Sequence, residues 1–448
     1  MSNSTSPSSL KEGLPHETDH DLEPVGRPHS TSSLAYLLNK RDNYVTKIPD
    51  GGLVAWLQVV GCFFIFMNNF GLASAFGVYQ AYYQETMLAN HSPSSISWIG
   101  TTQASLTLIV GVASGPLFDK GFFFPVVTVA SVGLVFSFMM LSLCHQFWQV
   151  LLCQGILAGI CTGLLYIPSI AQIPQYFSTN LGFALGIVLS GAPVGGIIYP
   201  YMFRELLPTI GFGGATRAIG FLALGLLAIS IVLVKPLKLA DAPEKLMDKA
   251  MFKNIYYVSF IIGAFFFFVG MMIPYFDCAT FWWAKFDHNL DSAFHTLLII
   301  NAGNFFGRII LTMLVDYKIA HQLGPEGLIA VSAIGLAALG FGWIGVTTRA
   351  SYYAFLVLWG FFSGGVASLP AMLLRCIVTR RELFATCLGI IYAAAGVGVL
   401  IGVPIANSSG TGKFLTAQVV CGVASTIGLV FTLITGVGAR KNRMAKKV

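Results

Sequence analysis

The chain has 448 residues, of which 55% are hydrophobic and 10% charged. Soluble domains carry about 25% charged residues, so this composition excludes a soluble globular protein and indicates a polytopic membrane protein. The net charge of +7 does not point to nucleic acid, because the basic residues flank apolar segments instead of forming one patch.

Residues 1–49 are rich in Ser, Pro, His and charge. They lack the apolar run of a signal peptide and cannot bury a core, so a disordered cytosolic tail is expected there. Twelve apolar segments follow, read against the roughly 20 residues needed to span a bilayer. The first six cover Leu53–Tyr79, Ser95–Phe118, Phe122–Leu143, Phe147–Ile173, Leu181–Phe203 and Gly213–Val234. A polar stretch with five Lys, residues 235–253, comes next. The second six cover Asn254–Phe276, Ala293–Val315, Leu323–Val346, Tyr352–Ile377, Phe384–Ala406 and Phe414–Gly436. The expected organisation is a tail (1–49), a six-helix bundle (50–234), a cytosolic linker (235–253), a second six-helix bundle (254–437) and a basic cytosolic tail (438–448). The eight Cys show neither CxxC spacing nor a Cys/His cluster, so no disulfide framework, metal site or cofactor is expected.

Lys and Arg set the orientation. With the N-terminus inside, nineteen of them fall in the tails and cytosolic loops, including Lys120, Lys318, Arg380 and Arg381. Five fall outside: Arg204, Arg217, Lys285, Arg349 and Lys413. This positive-inside bias places both termini in the cytosol. Asn90-His91-Ser92 then faces outside as a glycosylation sequon. Asn407-Ser408-Ser409 also faces outside, but close to the membrane.

The two halves resemble each other. The second segment ends Gly115-Pro116-Leu117-Phe118-Asp119-Lys120-Gly121, and the eighth ends Thr312-Met313-Leu314-Val315-Asp316-Tyr317-Lys318. Leu185-Gly186-Ile187 opens a Gly/Pro-rich run to Pro200, and Leu388-Gly389-Ile390 opens a similar run to Pro404. Six-plus-six repetition around a charged central loop is the plan of a secondary transporter, whose halves rock about a site near the bilayer midplane.

Arg308 lies eight residues before Asp316, about 12 Å into its helix. Every other Lys or Arg lies near the end of an apolar segment or outside one. Asn301, Asn304, Arg308 and Thr312 follow at spacings of three, four and four, which is one helix face. A cation at membrane depth is costly against lipid, so this face is expected to turn toward water, a partner group or substrate.

These features resemble the major facilitator superfamily, and within it the monocarboxylate transporter (monocarboxylate porter) family in its fungal form. The similarity covers residues 49–437. Pro49-Asp50-Gly51-Gly52-Leu53-Val54-Ala55-Trp56 is similar to the family's Asp-Gly-Gly opening of the first helix, with the Trp slightly later. Gly115–Gly121 is similar to a shortened form of the superfamily's loop motif. Ala184-Leu185-Gly186 through Ser190-Gly191-Ala192-Pro193-Val194-Gly195 is similar to the family's Gly-rich fifth helix. The resemblance implies that Asp119, Lys120 and Asp316 help lock the outward-facing state. It also implies that Arg308 handles a carboxylate. Two departures bear on proton coupling. Proton-coupled members carry an Asp four residues before this Arg, where this chain has Asn304, and a Lys in the first helix, which Ala75–Gln80 lacks. None of the 19 acids sits in mid-span. Asp277, near the outer end of the seventh segment, comes closest and is the candidate proton site.

Substrate-binding candidates are Arg308, Asn304 and Asn301, joined by Tyr166 in the fourth helix, Gln103 in the second and Asn68 in the first. The last three either line a polar cavity or bond neighbouring helices. Gly155, Gly159, Gly163, Gly182, Gly186, Gly191 and Gly195 read as helix packing, and Phe265–Phe268 and Phe361–Phe362 as packing or lipid contact ahead of stacking on a bulky apolar ligand. Arg375 reads as snorkelling to the interface or as facing the pore. No catalytic constellation and no Walker-type loop is present, so neither an enzyme nor an ATP-driven pump is expected. The expected protein is all-α, with twelve transmembrane helices in two halves. It moves a small organic acid or related metabolite by alternating access, in the plasma membrane. The alternatives are export of a fungal secondary metabolite and a transporter-like nutrient sensor.

Overall fold

The structure, a computed structural model, describes residues 48–237, 249–288, 290–317, 323–378, 383–406 and 414–445. The N-terminal tail up to residue 47, linker residues 238–248, Lys318, Arg380, Arg381, Asn407, Lys413 and residues 446–448 lie outside the described residues. The described residues all fall in one compact unit, Val45–Val448.

All the long elements are helices: α1 (Leu53–Met87), α2 (Pro93–Asp119), α3 (Phe123–Leu141) and α4 (Phe147–Tyr176). A 53-residue helical run, Leu181–Leu233, follows. Unbroken, it would measure about 80 Å, far more than the roughly 30 Å hydrocarbon core. It breaks at Gly211, with φ 68° and ψ 176°, a conformation that side chains disfavour. The run is therefore two spans, α5 (181–210) and α6 (212–233). The second half contributes α7 (Ile255–Lys285), α8 (Leu290–Asp316), α9 (Gly324–Gly345), α10 (Arg349–Ile377), α11 (Phe384–Ala406) and α12 (Leu415–Ala445). Among the described residues the total is twelve, as expected.

Several helices outrun their apolar segments. α1 and α7 continue to Met87 and Lys285, so Asp277 lies two turns inside α7. α5 continues past Phe203, which makes Arg204 a helix residue and not a loop charge. α12 runs on to Ala445, where Arg443 pairs with buried Glu326 at 2.7 Å and Asn442 donates to the Cys376 carbonyl at 3.3 Å. Backbone hydrogen bonds continue a helix past the apolar boundary wherever tertiary contacts hold it.

Glycines set the helix spacing. Gly155, Gly159 and Gly163 bring α4 against α2, and Gly191 and Gly195 bring α5 against α1. Gly303 and Gly307 bring α8 onto the α10 backbone. Gly182 and Gly186 press α5 on α8, and Gly111, Gly115 and Gly389 press α2 on α11. These last two pairs are the seams between the halves.

The Asp-Gly-Gly stretch has a structural explanation. Asp50, Gly51 and Gly52 take φ values of +56°, +132° and +87° in succession. That turn aims the Asp50 carboxylate at the α4–α5 loop, where it accepts from the Ser178 and Thr179 N–H groups at 2.7 and 2.9 Å and from both hydroxyls. These donors hold the Asp50 carboxyl down at about 2. A depressed carboxyl stabilises above its usual value near 3.8 and loses that contribution as pH falls toward 2. Asp50→Ala should therefore lower the melting temperature at neutral pH, and the gap from wild type should narrow below about pH 4. Calorimetry across pH checks this, and a gap that stays constant would assign the loss to something other than the carboxylate.

Candidate functional site

A cavity of 810 Å³ lies between the halves. It is lined by the later parts of α1 and α5 (Phe70 to Thr86, Ala192 to Leu207) and of α7 (Met271 to Trp283), and by the first part of α8 (Ala293 to Arg308). All these segments lie away from the end at which α1 begins and α12 finishes. The cavity is therefore the outward-facing one under the positive-inside orientation.

The opposite end is shut. Asp119, closing α2, accepts from the Thr386 N–H at 2.8 Å, the Thr386 hydroxyl at 2.6 Å and the Ala385 N–H at 3.4 Å. Asp316, closing α8, accepts from the Gly182 and Phe183 N–H groups at 3.0 and 2.8 Å. Each carboxylate thus meets the N-terminus of a helix from the other half, where unpaired N–H groups and the helix dipole favour an anion. Lys120 is exposed at the end of α2.

Arg308 closes the inner end of the cavity and is 8% exposed. Its Nε donates to Asn304 Oδ1 at 2.7 Å, and a terminal nitrogen donates to the Leu189 carbonyl of α5 at 3.2 Å. Asn304 Nδ2 donates to Ser363 Oγ at 3.2 Å and to the Gly360 carbonyl at 3.4 Å, and Ser363 Oγ pairs with the Tyr275 hydroxyl at 2.8 Å. Asn304 therefore orients the guanidinium without neutralising it. With five N–H donors on the group, donors remain for the cavity. Among the described residues lining the cavity, Glu85 is the acid and Arg204 and Arg308 are the bases. Much of the remaining wall is aromatic or apolar, with Phe70, Phe203, Phe276, Trp283, Phe294 and Met271.

Of the six substrate-binding candidates, Arg308, Asn304 and Asn301 line the cavity, as one helix face requires. Tyr166, Gln103 and Asn68 do not. Asn68 bonds helices, accepting from the Tyr199 hydroxyl at 2.7 Å and donating to the Phe64 carbonyl at 2.8 Å. Gln103 is fully buried on α2, where Gly159 of α4 approaches its backbone. Tyr166 is 2% exposed and packs its ring against Phe66 and, across the halves, Tyr392 at 4.9 Å. Asp277 is buried beside Cys278, Tyr352 and Cys421 and is not part of the lining. Asn90 is exposed in the turn between α1 and α2, at the outer end. Among the described residues no group of His, Cys, Asp and Glu is placed to hold a metal.

Arg204 is a lining residue that sequence reasoning missed. Its guanidinium carbon stands 5.0 Å from the Phe294 ring centroid, a cation–π contact from α5 to α8. A signal was present: Pro193, Gly196, Pro200, Arg204 and Leu207 recur at helical spacing along α5.

Comparison with known proteins places the fold in a family. Residues 59–403 match the family model described as Major Facilitator Superfamily. The MFS-type transporter dbaD of Emericella nidulans is 38% identical over 355 residues, 79% of each chain. The aspyridones efflux protein apdF of the same organism is 36% identical, over 83% of this chain and 75% of its own. The agnestins efflux protein AgnL12 of Paecilomyces divaricatus is 29% identical over 85% of each. Among solved structures, the human organic anion transporter MFSD10 (TETRAN) superposes with a TM-score of 0.61 at 13% identity, covering 85% of this chain and 98% of that one. That likeness speaks for the fold. With twelve spans in two repeated halves around a central cavity, the chain belongs to the major facilitator superfamily and is a multi-pass membrane transporter.

Proposed function

We propose that this transporter exports an acidic, largely apolar metabolite of the secondary-metabolite kind across the plasma membrane. The observation that carries this reading is Arg308, a buried guanidinium oriented by neutral Asn304 at the floor of an aromatic-walled cavity. A cation left unneutralised there favours an anionic group. The 810 Å³ volume suits a drug-sized molecule and exceeds what a two- or three-carbon acid needs. Relatives named for efflux of aspyridones and agnestins support the direction. The monocarboxylate-porter likeness is retained for the Asp50-Gly51-Gly52 turn and Arg308. In this reading Asp119 and Asp316 latch the cytosolic side while the cavity faces outward, and parting of both latches accompanies the inward-facing state. Asn304 does not titrate, which leaves Asp277 as the first residue to test for proton coupling.

The test uses inside-out vesicles and a matched probe pair, naphthoate and its neutral amide. Naphthoate should accumulate and be competed by other aromatic acids, whereas the amide should enter no faster than in empty vesicles. Equal transport of both would end the anion reading. Repeating the assay with an imposed proton gradient, in wild type and Asp277→Asn, assigns the coupling.

A further inference from the structure

The carbonyl of Leu189, midway along α5, has lost its helical partner. In an α-helix it would accept from the N–H of residue 193. Residue 193 is proline, which has no N–H. Buried carbonyls are rarely left unpaired. Here the vacancy is filled from the other half of the protein, by Arg308 at 3.2 Å. The same guanidinium closes the floor of the cavity. One cation therefore serves both a backbone carbonyl of the opposite half and the space where substrate would sit.

This bond occupies the middle of a seam. α5 and α8 run antiparallel, and their contacts form a ladder. At the cytosolic end Asp316 holds the Gly182 N–H. Next, Gly186 leaves no room for a Cβ against Thr312. Arg308 meets Leu189 at mid-length, Gly196 sits against Asn301, and Arg204 covers Phe294 at the outer end.

The internal repeat supplies a control. Leu185-Gly186-Ile187 corresponds to Leu388-Gly389-Ile390, so Leu189 and Pro193 correspond to Tyr392 and Gly396. Asp316 corresponds to Asp119, so Arg308 corresponds to Gly111. The α2–α11 seam closes as tightly without either residue: a Cβ on Gly389 would lie 2.2 Å from the Gly111 carbonyl oxygen. The proline and the arginine occur together in one seam only, so close packing of the halves does not require them.

We propose that the Arg308–Leu189 bond is a clasp between the two halves, created by Pro193 and undone when the acidic group of a substrate takes over the guanidinium. This rests on the assignment of Arg308 to that acidic group. Empty, the transporter spends one charged donor on holding α5 to α8. Loaded, the donor turns to the anion and the seam loses its central rung. Pro193 lines the cavity, so the vacated carbonyl is one helical turn from the cavity wall. Part of the anion's binding energy thereby goes into loosening the closed arrangement, which is how a ligand shifts a conformational equilibrium. Pro193 acts through Arg308 and is a positioning residue.

Pro193→Ala returns an N–H to position 193 and gives Leu189 its own helical partner. It adds a backbone hydrogen bond, so the variant should fold, and an unreduced melting temperature in nanodiscs confirms that. Two quantities are then measured on wild type, Pro193→Ala, Arg308→Gln and the double variant: naphthoate affinity by calorimetry, and hydrogen exchange of the amides at 181–186. In wild type, naphthoate should speed exchange in that segment. In Pro193→Ala, exchange should already be fast without ligand, and naphthoate should bind about tenfold tighter because no carbonyl competes for the guanidinium. In the Arg308→Gln background, Pro193→Ala should change neither quantity. Unchanged affinity in Pro193→Ala, or an effect that persists without Arg308, overturns the clasp and leaves the binding role of Arg308 standing. Equal naphthoate affinity in wild type and Arg308→Gln overturns that role, and the clasp with it.

Discussion

Arg308→Gln is expected to lower naphthoate transport about a hundredfold while leaving the amount of folded protein in the membrane unchanged. The magnitude follows from the chemistry of the site. A hydrogen bond to a charged group contributes about 1.5–3 kcal/mol, and a guanidinium offers a carboxylate two in parallel. Losing about 3 kcal/mol is about a hundredfold in affinity. Glutamine keeps some length and polarity but no charge, so no ion is stranded in the interior. The structural cost is confined to the groups Arg308 now satisfies, Asn304 Oδ1 and the Leu189 carbonyl. An unsatisfied buried acceptor costs about 1–3 kcal/mol, which a bundle of this size should survive. The measurement is the initial rate of vesicle uptake, normalised to protein detected in the same membranes. Undiminished flux in Arg308→Gln would remove this residue from the substrate path.

The second large effect concerns two glycines whose replacement creates the same clash with opposite consequences. A Cβ on Gly307 would lie 2.0 Å from the Phe361 carbonyl oxygen, and one on Gly389 would lie 2.2 Å from that of Gly111. Both meet backbone, which has little freedom to move aside. Gly307 packs α8 on α10 inside one bundle, so Gly307→Val must force apart helices that share a core. Overpacking of this kind costs about 1–3 kcal/mol or more, and the expected result is poor folded expression or a melting temperature lowered by several degrees. Gly389 packs α11 on α2 across the halves, near the Asp119 latch. There the halves can rock apart, and the clash is relieved by leaving the outward-facing arrangement. Gly389→Val should therefore fold, and the amides of Ala385 and Thr386 should exchange at least about tenfold faster. Asp119→Asn should produce the same change in weaker form, since it removes the latch without adding volume. Hydrogen exchange and thermal melting on the variants separate the two effects. Normal protection of Ala385 and Thr386 in Gly389→Val would contradict the placement of this seam at the closed gate.

The distinction between these glycines was not available from the sequence, which does not say which helix either one meets. What the sequence by itself determined was the membrane class, the number and order of spans and the repeat. Each follows from properties carried along the chain: the apolar length needed to cross a bilayer and recurrence at fixed offsets. It also determined that Asn301, Asn304 and Arg308 share one face, because helical periodicity relates residues on the same helix. Periodicity does not say which other helix that face meets. Only the tertiary structure decided that Asn304 orients Arg308, that Ser363 and Tyr275 extend the network, and that Arg204 lines the cavity. It likewise placed Asn68, bonded to Tyr199, Tyr166, packed on Tyr392, and the buried Gln103 outside the cavity lining, although their polarity and spacing resemble those of Asn301, Asn304 and Arg308. The pairing of Pro193 with Arg308 is the clearest case. The missing N–H is local and legible in the sequence, but the donor that answers it comes from a helix more than a hundred residues away and is found only when the two halves are packed together.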